Sequence, residues 1–397
     1  MNQPTYQYYN QLFKDLHLPL AYVDMNMLNQ NINDIATRAN KTNIRIASKS
    51  LRCTHILKHI LESNAIYNGI MCFTTQEAIW LSQQGFDNLL LGYPSVNKDE
   101  IQTICQLTKQ GKKIILMVDS IVHLELVNQI AKAENTIQPL CIDLDMSSDF
   151  PGLHFGVMRS PLNTVDKAIQ VIDAFDKFQN ISLNGLMGYE AQIAGLGDNS
   201  PHNGIKNPVI KLLKKKSIKE IAKRRGDVVN YIKSKNHNLE IVNAGGTGSI
   251  ESSIQEPWVT EVTVGSGFYT PALFDYYSNF KHLPAAGYAV QIVRKPAPNH
   301  YTCLGGGYVA SGPVGADKRP IPYLPLGIQL TDNEETGEVQ TPCIYKGNEK
   351  LNIGDTILFR HAKAGELCER FNELHLIKDG QIINKVPTYR GEGKCFL

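Results

Sequence analysis

From Asn43 onward, apolar residues come in short β-rich runs separated by segments of helical length, the alternation that consecutive βα units produce. The runs are Ile44–Ser48, Gly69–Phe73, Asn88–Gly92, Lys113–Val118, Pro139–Asp145, Ile181–Gly188, Leu239–Ala244 and Thr260–Gly265. Between them a helical period shows, as where Val165, Ala168, Ile169, Ile172 and Phe175 fall on one stripe. Eight such strands in about 220 residues predict a (β/α)8 TIM-like barrel, a fold of ~250 residues.

One run is left over. Leu20–Asp24, "LAYVD", precedes a helical pattern with Leu28, Ile32, Ile35 and Ala39 on one face. A closed barrel has no edge for a ninth strand, so this strand is expected to pair elsewhere. From about Leu283 the helical period vanishes, and "GYAVQIV", "YTCLGGGYVAS", "GIQLT" and "DTILFR" alternate with Gly, Pro, Asn and Asp. The pattern predicts an α/β chain with a barrel over residues 25–282 and a C-terminal β domain over residues 283–397. Residues 1–24, an N-terminal helix and strand, are expected to join the β domain, and the boundary falls near Phe280 to Pro284.

Composition narrows the function classes. With 397 residues, 42% of them hydrophobic, the chain can bury a large core and carry a second module. A net charge of +2, from 40 basic and 38 acidic residues, gives no general electrostatic case for nucleic acid or an anionic membrane as partner. The basic run Lys211–Asp227 has Ile210, Leu213, Ile218 and Ile221 interleaved and reads as a solvated helix face. Eight scattered cysteines form no C-x-x-C pair, which suits reduced thiols. "MNQPTYQYYNQLF" is not a signal segment, and no stretch of ~18 apolar residues occurs. A cytoplasmic protein is expected.

Candidate chemistry begins at Lys49, in "NIRIASKSLRC". It is either a surface lysine closing a strand or an imine-forming amine, whose pKa desolvation would lower. Barrel enzymes place their chemistry at the C-terminal strand ends, often with a phosphate site after strands seven and eight. After the seventh run comes "NAGGTGSIESS", Asn243–Ser253, and after the eighth "GSGFY", Gly265–Tyr269. Glycines there permit close backbone approach, while Thr247, Ser249 and the following helix start offer donors to a dianion. A phosphorylated aldehyde held at these loops would meet Lys49 across the barrel mouth. Pyridoxal 5′-phosphate is both aldehyde and phosphate monoester.

The ordered set "YVDMNMLNQNI", "RIASKS", "GLMGYEAQ", "NAGGTGS" and "VGSGFY" resembles the fold-type-III pyridoxal-phosphate enzymes, with an alanine-racemase-like N-terminal barrel, and spans nearly the whole chain. "DTILFRHAKAGELCERFNELHLI" is similar to the terminal domain of the D-threonine aldolase and D-serine dehydratase branch. The resemblance implies a barrel plus β domain and a homodimer with active sites near the interface. It also implies roles. Lys49 stands where the family forms its internal imine. Gly245, Gly246, Thr247, Gly248 and Ser249, with Gly265, Ser266, Gly267 and Tyr269, stand where it holds the phosphate. Tyr189 matches the tyrosine beside the cofactor ring, with Gln192 one short turn on. His154, in "LHFGV", falls where relatives commonly have an arginine directed at the ring hydroxyl.

In the aldolase and dehydratase branch the histidine matching His361 binds a divalent metal with a Cys or Asp two positions on. Here that position is Lys363, and a protonated lysine is a poor ligand. Glu366 and Cys368 are the other nearby ligand candidates. The expectation is a pyridoxal-phosphate lyase, aldolase or dehydratase, acting on a β-hydroxy amino acid of D configuration. Lys49 would be the base, and His361 with Lys363 would address the β-hydroxyl. The alternatives are a racemase, with Tyr301 or Tyr308 as second base, and a noncatalytic cofactor carrier.

Overall fold

The computed structural model describes residues 5–201, 204, 206–312 and 315–397; the first four residues of the expected N-terminal segment lie outside them. The leftover strand β1 (Leu20–Asp24) is followed by β2 (Asn43–Ala47), β3 (Tyr67–Cys72), β4 (Leu89–Pro94), β5 (Ile114–Val118) and β6 (Gln138–Asp143). A hairpin of β7 (Ser148–Phe150) and β8 (Leu153–Phe155) precedes β9 (Ile181–Gly188), β10 (Ile241–Ala244) and β11 (Glu261–Val264). Eight of these close a parallel barrel in the order β10-β11-β2-β3-β4-β5-β6-β9. The closing pair sets Val264 opposite Ile46. All eight expected runs are barrel strands, within a few residues at their ends.

Parallel strands covered on both faces read as near-continuous apolar runs, and β5, "IILMV", is buried at every position. The same cover reaches a charged residue of β2. Arg45, between Ile44 and Ile46, is 1% exposed. Its guanidinium donates to both oxygens of Glu261 at 2.6 and 3.0 Å and to the Asn88 carbonyl at 2.6 Å, a bidentate pair that ties β2 to β11.

The second sheet is built from β12 (Ala286–Ala297), β13 (His300–Leu304), β14 (Ile321–Leu324), β15 (Gln329–Leu330), β16 (Gln340–Ile344), β17 (Thr356–Arg360), β18 (Glu373–Lys378) and β19 (Gln381–Pro387). β1 lies inside it, antiparallel to β12 and parallel to β18, as the spare strand predicted. From β1 the chain passes directly into the helix Met25–Ala39, where the Asp24 side chain caps the backbone N–H groups of Asn26 and Met27. Leu28, Ile32, Ile35 and Ala39 are all buried. The run "YTCLGGGYVAS" is strand only to Leu304; Gly305 and Gly306 take φ of 80° and 120°, which ends the extended backbone.

The basic run lies on the helix Lys206–Ser234 and is not wholly solvated: Lys214 and Arg225 are buried along with Ile221, Val228 and Val229. The eight cysteines are free. Among the described residues no helix is long and apolar enough to cross a membrane.

Candidate active site

β2 ends in a single 3-10 turn, Ser48–Ser50. Ser48 is buried and its hydroxyl donates to the Met71 carbonyl at 2.9 Å, while Ser50 Oγ lies 3.3 Å from Ser266 Oγ. Lys49, between them, is exposed, so this chain does not bury it among apolar groups as a desolvated amine requires. The residues that follow are gripped by distant segments. The Leu51 carbonyl accepts from Tyr269 Oη at 3.3 Å and Cys368 Sγ at 3.1 Å, and the Arg52 carbonyl accepts from the Tyr389 N–H at 2.8 Å. Gly365, at φ 94°, sits so close that a Cβ there would be 2.6 Å from the Lys49 carbonyl oxygen.

Because β10, β11 and β2 are consecutive around the barrel, both glycine loops adjoin the Lys49 turn on one side of the mouth rather than facing it across. The Gly267 N–H donates to Thr247 Oγ1 at 3.1 Å, joining the two loops. Arg38 donates to the Thr247 carbonyl at 2.7 Å. A Cβ on Gly246 would stand 2.8 Å from Ala194 Cβ and 3.3 Å from Tyr189 Cε2, so the loop closes against the end of β9.

Tyr189 keeps 37% of its surface exposed. Its hydroxyl end is enclosed, and burial pushes the phenol up to about 12, with Arg159 pulling the other way. Gln192, one turn on, faces inward: its amide donates to the Met146 carbonyl at 2.6 Å and Ser217 Oγ at 2.8 Å. Tyr269 is likewise buried and turned to Leu51.

His154, on the hairpin of β7 and β8, sets Nδ1 2.7 Å from Asp149 Oδ1. Arg159, five residues later, is a cation whose charge is felt at Tyr189 and Asp143. Its charge opposes the raised pKa of Tyr189 and that of Asp143, which burial and then the nearby Asp119 and Asp145 push up to about 7. Arg159 stands in "HFGVMRS", and only its place one loop beyond the family's arginine position hinted at it.

His361 follows β17 and is 2% exposed, with neither ring nitrogen hydrogen-bonded. Burial, with Arg360 adding to it, brings its pKa down to about 3, so the imidazole is neutral at ordinary pH. Lys363 Nζ reaches Ser311 O and Oγ, both at 3.4 Å. Burial lowers its pKa, and the like charges of Lys49, Lys318 and Arg159 lower it further against the pull of Glu366. The segment that carries Lys363 reaches the Lys49 turn through Gly365, and the Lys49 charge is felt at Lys363.

Cys368 is fully buried, its thiol pKa raised by that burial, and it donates to Leu51. Glu366 Oε1 accepts from the Ser311 N–H at 3.1 Å. Among the described residues no group of three or more His, Cys, Asp or Glu is placed to hold a metal ion.

The alanine racemase N-terminal domain profile matches residues 23–272, a stretch that takes in the barrel, the Lys49 turn and both glycine loops. The chain belongs to that family. Its members include fold-type-III pyridoxal-phosphate enzymes. Among solved structures, the D-threonine aldolase from Filomicrobium marinum superposes with a TM-score of 0.79 at 15% identity, covering 95% of this chain and 96% of that one. The D-threo-3-hydroxyaspartate dehydratase from Delftia sp. HT23 gives 0.71 at 14%, covering 95% and 98%. The alanine racemase of Clostridium difficile 630 gives 0.63 at 13%, covering 94% and 99%. Identities this low establish the shared two-domain fold of the family and not a particular reaction. A comparison with curated protein sequences finds no match.

Proposed function

We propose that this chain binds pyridoxal 5′-phosphate and is a lyase for a β-hydroxy amino acid of D configuration. The reading is carried by the contiguity of the Lys49 turn with the two glycine loops, which puts an open amine beside backbone suited to a phosphate monoester. The loops Gly245–Ser249 and Gly265–Gly267 would hold that phosphate, and the exposed edge of Tyr189 would flank the ring. When bound, the cofactor supplies an electron sink for charge released at the substrate Cα.

Every proton step then falls to side chains of this protein. Lys49 takes the proton from Cα in an elimination, or delivers one to Cα after retro-aldol cleavage of the Cα–Cβ bond. Lys363, whose pKa burial lowers with the Lys49 charge acting the same way, moves the proton at the β-oxygen, whether that oxygen leaves as water or becomes a carbonyl. His361, neutral and unpartnered, orients the same oxygen. Arg159 offers its charge to an anionic group in the mouth, the task the family gives to an arginine.

The racemase alternative lacks an open second base. Tyr301 is buried in β13 under the Lys295 ammonium, and Tyr308 packs on Tyr288 and Phe371. A carrier without activity has no need of a second domain that grips the lysine turn through Cys368 and Tyr389. We keep residues 25–282 as the barrel and 283–397, joined by 1–24, as that second domain. A homodimer with active sites near the interface, which the family resemblance implies, is part of the proposal. Incubation with a panel of D- and L-amino acids tests the whole reading: an aldehyde or keto acid from a β-hydroxylated D-substrate supports it, and an enantiomer as product overturns it.

A further inference from the structure

We infer that Glu190 and Arg225 are positioning residues, a buried charge pair that orients the donors of the Gly245–Ser249 loop and so sets how tightly a phosphate monoester is held. The inference rests on the reading of that loop as the phosphate side. Arg225, fully buried on the helix Lys206–Ser234, donates from Nη2 to the Gly188 carbonyl and to Glu190 Oε2, both at 3.1 Å, and from Nη1 to Glu256. Glu190 Oε1 in turn accepts from Ser249 Oγ at 3.1 Å and from Ser253 Oγ. Ser249 Oγ accepts from the Gly246 N–H at 3.1 Å. An unbroken chain thus runs from the helix guanidinium to a backbone donor of the loop.

A hydroxyl has one proton. Ser249 commits its proton to a carboxylate, the stronger acceptor, over the Gly246 carbonyl at 3.5 Å. None is left for a phosphate. Thr247 is the converse case, since it accepts from the Gly267 N–H and keeps its own proton to give. Thr247 rather than Ser249 is therefore the side-chain donor of this loop to an anion.

Two carboxylates, Glu190 and Glu256, face one guanidinium, so the network offers a phosphate no net attraction. Its contribution is orientation, and that fixes the sign of the test. Loss of a negative charge in Glu190→Gln would tighten phosphate binding if simple electrostatics ruled. The positioning role requires the opposite. Affinities for pyridoxal phosphate and for pyridoxal, which lacks the phosphate, are measured by absorbance titration for the wild type, Glu190→Gln and Ser249→Ala, with the thermal midpoint of each. Ser249→Ala leaves every charge in place and guards against misfolding of the first variant. The expected result is a fall of ~10-fold or more in pyridoxal phosphate affinity for both variants, with pyridoxal affinity changed about 2-fold at most, as loss of one oriented hydrogen bond implies. An unchanged or tighter phosphate preference, or a lowered thermal midpoint with an unaltered affinity ratio, overturns the inference. A wild type that does not prefer pyridoxal phosphate over pyridoxal removes the phosphate reading first and this inference with it.

Discussion

Ser50 Oγ and Ser266 Oγ lie 3.3 Å apart, although 216 residues separate them in the chain. The contact joins the turn that carries Lys49 to the glycine loop after β11, because the first and last strands of a closed barrel are neighbours. A Cβ on Gly265 would stand 2.5 Å from Ser50 Oγ and 2.9 Å from Ala47 Cβ, so glycine is what lets the two loops meet.

From that juxtaposition, Lys49 is expected to be the residue that borohydride reduction links to the cofactor. The purified protein should be yellow, and peptide mapping after reduction should place the pyridoxyl group on Lys49 alone. Lys49→Ala should retain phosphate-dependent binding and lose turnover by ~100-fold or more. A pyridoxyl group on Lys363 would exchange the roles of the two lysines.

Gly246 has no room for a side chain, with Ala194 Cβ 2.8 Å from where its Cβ would stand. Gly246→Val should push the loop away from Tyr189 and raise the apparent Kd for pyridoxal phosphate by ~10-fold or more, an effect larger than its effect on folding. Full occupancy of the variant at limiting cofactor would reduce the loop to a chain reversal.

Lys363 is expected to serve where some relatives use a metal. Two unit charges ~4 Å apart repel by about 4 kcal/mol at an effective dielectric of ~20, which sets the Lys363 ammonium against any cation held by His361. Cys368 keeps its proton and is turned to Leu51. Dialysis against a chelator should leave turnover unchanged, and Lys363→Met should lower kcat by ~100-fold. Stoichiometric metal in the purified protein, with activity lost on its removal, would sink the idea.

Glu77 predicts a pH effect on stability. It accepts from the Phe73 N–H at 2.7 Å and from Tyr389 Oη at 3.0 Å, and burial pushes its carboxyl from 4.5 up to about 7. Between those values the folded state binds a proton that the unfolded state has released, so this group's contribution falls as pH rises through the window. Asp143, shifted to about 7, acts in the same direction. His361, brought down to about 3, acts in the opposite one. Glu77→Gln should therefore gain stability relative to the wild type as pH rises from about 5 to about 7, read as the difference between their denaturant midpoints. A difference independent of pH would mean that Glu77 is ionised throughout.

The barrel strands, the spare strand β1 and the two glycine loops were legible from residue order alone. Each depends on a local property: a run of β-branched and apolar residues, a helical period, or a glycine where backbone must approach backbone. The count of eight put Lys49 at the end of the first strand and the loops after the last two, read as facing one another across the mouth; barrel closure makes them neighbours instead. What the sequence could not decide was the fate of its polar residues. Arg45 alternates with Ile44 and Ile46 in its strand, and it is buried because Glu261, 216 residues away, neutralises it. Arg225 read as one more cation on a wet helix, yet Glu190 and Glu256 enclose it. Gln192 and Tyr269 sit in motifs that imply contact with a cofactor, and each instead turns to a carbonyl brought from another segment. A charged or polar side chain is buried only where a partner meets it, and that partner is supplied by the tertiary fold. Apolar periodicity carries its meaning within a single element; the place of an arginine or a glutamine is decided between elements.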